Sequence, residues 1–268
     1  MYCNKSHKNY LQKVPLIRVY QHTLKYCEND RFPRIPSTKY NYLDVEFSDD
    51  KFLEKYVSLA VPPKIMVENI DSFEMAIKIY GSTNNDINPL VLNLASDYKP
   101  GGGVGSGAKA QEEDLFRKSN YACVLDKGMY PLKTEEVVYS PSVFIIKDNV
   151  YDLLKVPVEV SCLAVAALRN PKITTSNGQE KYFRQIDAEV MQNKIDMIFK
   201  VALRHGNLDL VLGALGCGAF HNPPDDVANM FRKSIEKYGK YFRTIGFAIL
   251  SKKDNPNYEI FNKIINGK

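Results

Sequence analysis

The sequence has no tryptophan, and its 268 residues include only four histidines and five cysteines. The cysteines, Cys3, Cys27, Cys123, Cys162 and Cys217, are odd in number and widely spaced with no C-x-x-C. The histidines form no H-x-x-x-H, so neither a disulfide framework nor a metal site is expected. Long apolar runs are missing too. The longest, such as residues 160–168, are too short to cross a bilayer, and residues 1–13 are polar where a secretory signal would be apolar. The expectation is a protein with no membrane partner, working in a reducing aqueous compartment: the cytoplasm or, in a eukaryotic cell, the nucleus. Blocks of one charge are also absent. The 36 basic and 31 acidic residues are scattered to a formal net charge of +5. That pattern argues against a basic arm for duplex nucleic acid and leaves a mild attraction for anions.

What is present is enough for a packed core: 44% hydrophobic and 25% charged residues, in a length that fits one large domain. Leu16, Ile17, Tyr20, Leu24 and Cys27 fall at helical spacing behind Pro15, which predicts an amphipathic helix opening there. Residues 31–50, with Pro33 and Pro36, read as a loop or short hairpin, and a second helix is predicted from near Asp49, burying Phe52, Leu53 and Tyr56. Further on, strands are predicted at 64–68, 90–95, 136–139, 143–146, 158–166, 208–213 and 245–250. Helices are predicted at 71–80, 110–120, 183–205, 224–239 and 258–265, with a capping box of Asp71 and Glu74 on the first and Ile186, Val190, Ile195, Ile198, Phe199 and Ala202 inward on the long one. Such interleaving predicts an α/β fold, a three-layer α/β/α sandwich around a mixed central sheet. Residues 1–60 are expected as a helical extension packed on a core of residues 61–268, in a single domain.

Two segments share one plan of apolar strand, glycine-rich loop and helix: LVLNLAS-DYKPGGGVGSGAK-AQEEDLF and LVLGA-LGCGAFHNP-PDDVANMF. In an open α/β sheet such loops lie at the carboxyl ends of strands, where backbone amides and helix N-termini attract phosphate. Two in matching positions are expected to clasp a diphosphate. Neither is a Walker loop, and a clean G-x-G-x-x-G with a downstream acid is missing. Gln111, Glu112 and Glu113 open the helix after the first loop. Adjacent helical residues differ by roughly 100° around the axis, so the two glutamates can address different parts of one ligand. A carboxyl group there could supply the proton and position the water that breaking a glycosidic bond requires.

Gly101, Gly102 and Gly103, seven intervening residues, then Gln111, Glu112 and Glu113 together resemble the signature of poly(ADP-ribose) glycohydrolases, particularly the compact bacterial-type branch. VENIDS from Val67, NLAS from Asn93, VYSPSV from Val138 and LGALGCGAFHNPPDDVA from Leu212 are similar to that branch in the same order, so that the likeness spans Pro15 to the C-terminus. The resemblance implies a macrodomain-like fold, a monomer, and hydrolysis of ribose–ribose bonds in poly(ADP-ribose) carried by proteins, without metal or cofactor. By motif position it implies Glu113 as general acid/base and Glu112 on the ribose hydroxyls. Asn93 and the loop of Gly101, Gly102, Gly103 and Val104 would meet the distal ribose and its phosphate, with Gln111 supporting the loop. Gly216, Cys217, Gly218, Ala219 and Phe220 would wrap the diphosphate, Phe220 against ribose.

Val104 stands where the family commonly has an aromatic residue and Leu215 where it usually has tryptophan, and His221 is unusual. Cys217, between glycines and without a partner histidine, reads as a small packing residue rather than a nucleophile. Purines stack on aromatic rings, and Phe247 near the end of the last strand is the expected platform for adenine. Asp71 is accounted for by its capping role. Two alternatives share these residues: a macrodomain that binds ADP-ribose without turnover, and a hydrolase for single ADP-ribose groups on protein or nucleic acid.

Overall fold

The computed structural model describes residues 3–29, 31–47, 52–82, 88–176, 178–250 and 256–267. Nine strands, β1 (Thr38–Asn41), β2 (Lys64–Glu68), β3 (Leu90–Leu94), β4 (Glu136–Lys147), β5 (Leu153–Val165), β6 (Ile173–Ser176), β7 (Gln179–Tyr182), β8 (Asp209–Leu212) and β9 (Thr244–Ala248), form two sheets among the described residues. The main sheet has the order β1-β4-β5-β3-β8-β9-β2. It is mixed. The run from β5 through β3, β8 and β9 to β2 is parallel, while β4 is antiparallel to both β5 and β1.

Seven α-helices accompany them among the described residues: α1 (Cys3–Tyr26), α2 (Ser72–Gly81), α3 (Gln111–Lys118), α4 (Tyr121–Val124), α5 (Gln185–Arg204), α6 (Pro224–Tyr238) and α7 (Asn257–Asn266). Two apolar clusters cover the two faces of the sheet. One joins Leu90, Leu92, Leu212 and Phe247 to Ile195 and Phe199 of α5, Phe231 of α6 and Phe261 of α7. The other joins Val91, Val143, Val160 and Val211 to Phe73 and Ile79 of α2, Leu115 and Phe116 of α3, and Tyr121. Alternate residues of β3, β5 and β8 feed opposite clusters, as the two-residue period of a strand requires, and the three-layer architecture follows.

Several local expectations change. The first helix begins at Cys3 and carries Pro15 in its interior, so proline does not open it. Residues 31–50 contribute β1, which takes the edge of the main sheet by pairing Tyr40 with Val137; the first sixty residues are therefore not only a helical extension. Of the predicted second helix the described residues show a buried, helical Phe52 followed by a tight turn, Leu53–Lys55, while its expected start near Asp49 falls outside the described residues. Residues 136–139 and 143–146 belong to one long strand with an irregular register between Ser140 and Val143. Ile186 is 58% exposed rather than inward. Asp71 caps α2 through the amides of Phe73 and Glu74, while the Glu74 carboxylate takes its hydrogen bond from Asn149. The β6–β7 hairpin was not anticipated, because its residues are mostly polar and exposed on both faces.

The order of the strands fixes where a ligand can enter. After β3 the chain crosses α3 toward β4 and β5 on one side; after β8 it crosses α6 toward β9 on the other. The loops at the carboxyl ends of these neighbouring parallel strands therefore part, and a crevice opens between them. Both glycine loops lie on this one edge.

Candidate active site

The crevice starts with a divergence of two strands. The β3–β8 ladder pairs Leu90 and Val91 of β3 with Leu210 and Val211 and goes no further. Beyond it, Gln111 takes the place of a strand: its Oε1 accepts the amide of Leu94 at 2.9 Å and its Nε2 donates to the carbonyl of Leu92 at 2.7 Å. A further hydrogen bond from Nε2 to Ser72 Oγ, at 3.1 Å, ties in the start of α2. Gln111 was expected to support the glycine loop; it instead completes the hydrogen bonding of β3.

Glu112 holds the loop. It is 3% exposed. Its Oε2 accepts the Ser96 amide at 2.7 Å, and its Oε1 accepts the Gly101 amide at 3.1 Å and Asn93 Nδ2 at 3.2 Å. One carboxylate thus pins both ends of the turn from Ser96 to Gly101. Glu113, 7% exposed, accepts the Gly103 amide on Oε1 at 2.8 Å. Its Oε2 is buried and has no hydrogen-bond partner among the described residues, as is also true of Asn93 Oδ1. Buried polar atoms are rarely left so. Here they mark where a polar ligand can be received.

The glycine triplet is explained by this packing. A side chain at Gly101 would put its Cβ 2.7 Å from the Phe116 ring, one at Gly102 would lie 2.6 Å from Glu113 Oε1, and one at Gly103 would lie 2.7 Å from the Cβ of Ala108. Gly101 and Gly102 also have positive φ, 73° and 47°. What approaches the backbone so closely is the chain's own glutamate-bearing helix. Arg117, fully buried on that helix, donates to the carbonyl of Ala108 and so fastens the far end of the loop. Val104 is buried in the core cluster on the α3 side. Behind the loop, Gly107 lies against the backbone of Lys13 in α1, so the first helix forms its back wall.

Burial pushes the Glu112 carboxyl up to about 7, and the charge of Glu113 adds to this, while the hydrogen bonds from Ser96, Asn93 and Gly101 oppose it. The folded chain therefore holds this proton more tightly than an unfolded one, whose carboxyl titrates near 4.5. The stability tied to Glu112 is full below that lower value and is lost as pH rises through about 7, with a size on the order of 3 kcal/mol. The melting temperature is expected to fall across this window, and Glu112→Gln to flatten the fall. The same slope in both proteins would place the proton elsewhere. Burial, with the charge of Glu112 behind it, also pushes the Tyr130 hydroxyl up, so it remains a protonated donor.

The second loop is built differently. Gly216 has φ of 76°, and a Cβ on it would strike Asn222 Nδ2 and the Cβ of Ala167. Asn222, which is buried, gathers the loop by donating from Nδ2 to the carbonyls of Leu168 at 2.7 Å and Gly216 at 3.2 Å, and it accepts the Tyr182 hydroxyl at 2.8 Å. Gly218 and Ala219 are exposed, and the amides of Gly218, Ala219 and Phe220 donate to nothing among the described residues. These free donors precede the N-terminus of α6, where acceptors are favoured. Cys217 Sγ lies 3.6 Å from the Leu215 carbonyl, and burial pushes its thiol up, which fits a packing residue and not a nucleophile.

The structure does not bring Phe247 to the site. It is 0% exposed and packs edge-on against Phe231 and obliquely against Phe261, with centroids 5.2 and 5.8 Å away. The physical reason is strand parity: Phe247 shares a face with Ile245 and Ile249, directed at α6 and α7. Phe247→Leu is expected to cost about 1 kcal/mol of stability through repacking and to leave ligand affinity unchanged, as melting and titration would record. Asp71 is also occupied, by its cap and by an ion pair with Lys118 at 3.2 Å.

Residues that sequence reasoning passed over complete the rim. Asp97 in the first loop pairs with Arg169, which follows β5, and the guanidinium of Arg169 lies over the Phe220 ring of the second loop. The only sequence cue was a turn-forming LRNP behind a strand that ends on the same edge. Among the described residues no group of acidic, histidine and cysteine side chains is arranged to hold a metal ion, and no helix is long and apolar enough to cross a membrane.

The chain and its fold are similar to known proteins. Residues 37–148 match the family model of the microbial-type PARG, catalytic domain, PARG being poly(ADP-ribose) glycohydrolase. The structure is similar to that of poly(ADP-ribose) glycohydrolase from Thermomonospora curvata bound to the inhibitor ADP-HPD. The TM-score is 0.74 and the identity 24%, over 93% of this chain and 98% of that one. It is likewise similar to poly(ADP-ribose) glycohydrolase from Deinococcus radiodurans in complex with ADP-ribose, with a TM-score of 0.72 and 25% identity, over 88% of this chain and 99% of that one. No curated protein matches the chain by sequence.

Proposed function

We propose that this chain is a poly(ADP-ribose) glycohydrolase of the microbial, macrodomain-like type, hydrolysing ribose–ribose bonds to release ADP-ribose with Glu113 as its general acid/base. The observation that carries the reading is the pair of buried carboxylates at the mouth of the switch-point crevice, one holding three donors and one with an oxygen that has no partner among the described residues. Glu112 accepts from Ser96, Gly101 and Asn93 on both its oxygens. Glu113 keeps Oε2 for substrate.

In the reaction, Glu113 donates its proton to the departing ribose oxygen as the bond to the anomeric carbon breaks. Water then adds to that carbon and returns a proton to the same carboxylate. The positive charge that develops on the sugar is met by the two glutamates, set in surroundings too dry to screen them well. The diphosphate is placed by the free amides of residues 218–220 and the N-terminus of α6. Asn93 offers its unpaired Oδ1 to the distal ribose, and Phe220, half-buried at the rim, packs against it. The Glu112 carboxyl faces the ribose hydroxyls with the lone-pair capacity its three donors leave.

The same reading has the enzyme acting as a monomer on ADP-ribose polymers carried by proteins, in a reducing compartment. The test compares radiolabelled poly(ADP-ribose) with a singly ADP-ribosylated protein as substrates. Release of ADP-ribose from the polymer is expected. Tight calorimetric binding with no product would make the chain a binding module, and release from the single modification alone would make it a mono-ADP-ribosyl hydrolase.

A further inference from the structure

We propose that the three residues leaving β5, Leu168, Arg169 and Asn170, form a latch that holds the second glycine loop in register with the first, and that Arg169 is the positioning residue for Phe220. The proposal rests on the glycohydrolase reading only for the ligand used in part of its test.

Together the three residues grip Phe220, His221 and Asn222 of the second loop. The carbonyl of Leu168 accepts Asn222 Nδ2 at 2.7 Å. The backbone amide of Asn170 donates to the carbonyl of Phe220 at 2.9 Å, and its Oδ1 meets His221 Nδ1 at 2.7 Å. Between them, the Arg169 guanidinium carbon lies 4.1 Å from the centroid of the Phe220 ring. The same guanidinium reaches the first loop: Nε donates to Asp97 Oδ1 at 2.7 Å, and Nη2 donates to the same oxygen. The Asp97 carbonyl in turn accepts the Leu132 amide at 2.7 Å, which anchors that end. Thus one side chain touches both glycine loops.

The chemistry selects arginine. A guanidinium can present an edge of N–H groups to a carboxylate and its flat face to a ring at once, which an ammonium cannot. The covered face of Phe220 is closed to ligand, so only the opposite face is left for the sugar. The two residues that meet beside it, Asn170 and His221, both have positive φ, 46° and 53°. Such conformations are unfavourable for residues with side chains and persist where the surroundings enforce them. The loop itself contains Gly216 and Gly218 and has few other restraints on its exposed stretch, so removing the latch frees the segment that carries Phe220 and the three free amides.

The experiment uses the full chain and reads the loop both without and with ligand. Arg169→Ala is expected to speed amide hydrogen exchange across residues 214–222 by about tenfold. The KM for poly(ADP-ribose) and the Kd for ADP-ribose are expected to rise about five- to tenfold, with kcat held within about twofold. Arg169→Lys, which keeps the charge and loses the flat face, should recover less than half of either effect. Asp97→Asn, a milder change, should loosen the loop in the same sense and provides a second variant should the first fold poorly. Exchange and KM like wild type in Arg169→Ala, or full recovery with lysine, would overturn the latch. If the wild type binds no ADP-ribose, the glycohydrolase reading fails instead, and the exchange rates of the ligand-free proteins still decide the latch.

Discussion

Replacement of Glu113 by glutamine is expected to lower the rate of ADP-ribose release from polymer by about a thousandfold, within the range that removal of a general acid/base produces. Affinity for ADP-ribose should change by less than about fivefold. The substitution preserves shape. A glutamine oxygen can still accept the Gly103 amide, as Oε1 of Glu113 does at 2.8 Å, and the amide nitrogen then takes the position of the unpaired Oε2. The loop is held from elsewhere, since Glu112 pins Ser96 and Gly101 and Arg117 holds Ala108. What disappears is a group that can give up a proton and take it back. Kinetics and calorimetry on the same preparation check both halves, and release at the wild-type rate would remove Glu113 from the chemistry.

Gly102→Ala is expected to separate activity from folding. The new methyl would lie 2.6 Å from Glu113 Oε1 and 3.1 Å from Glu112 Oε2, at a residue whose φ is 47°. The carboxylates are the ends of flexible side chains and will yield before the backbone does. The fold therefore survives, at a cost of about 1–2 kcal/mol for an alanine in the left-handed region. With Glu113 as the proposed acid/base, the shift is expected to impair catalysis: displacing a reacting group by around 1 Å costs on the order of a hundredfold. The expected result is a melting temperature a few degrees lower with kcat down about a hundredfold. Activity near wild type would mean that Glu113 can work from a second position.

The layers of this fold were legible because its central strands are mostly apolar and most of its longer helices carry apolar stripes. Leu90–Leu94, Asp209–Leu212 and Thr244–Ala248 all form strands where the pattern put them. The two glycine loops were legible for a related reason, because glycine at Gly101, Gly102 and Gly216 answers to contacts that no side chain could tolerate. The misses have physical causes. Local pattern does not distinguish a strand whose ring faces the crevice from one whose ring faces a helix, and Phe247 was misplaced on that point. Pro15 lies inside a helix whose packing on the first glycine loop and α3 outweighs a local preference. The residues leaving β5 work through hydrogen bonds to a segment some fifty positions away, and nothing in LRNP announces such a partner.

The middle strand of the main sheet carries one last implication, for how the protein comes into being. Leu90 of β3 is flanked by Ser161 on one side and Leu210 on the other, both made well after it. A chain growing on the ribosome carries its two glutamates early, yet the cleft they face has only one wall until β8 has emerged and docked. Pairings this distant in sequence form late and slowly. Until β8 has docked, the nascent polypeptide lacks the second wall of this cleft, and a prematurely terminated product without β8 carries the two carboxylates without that wall.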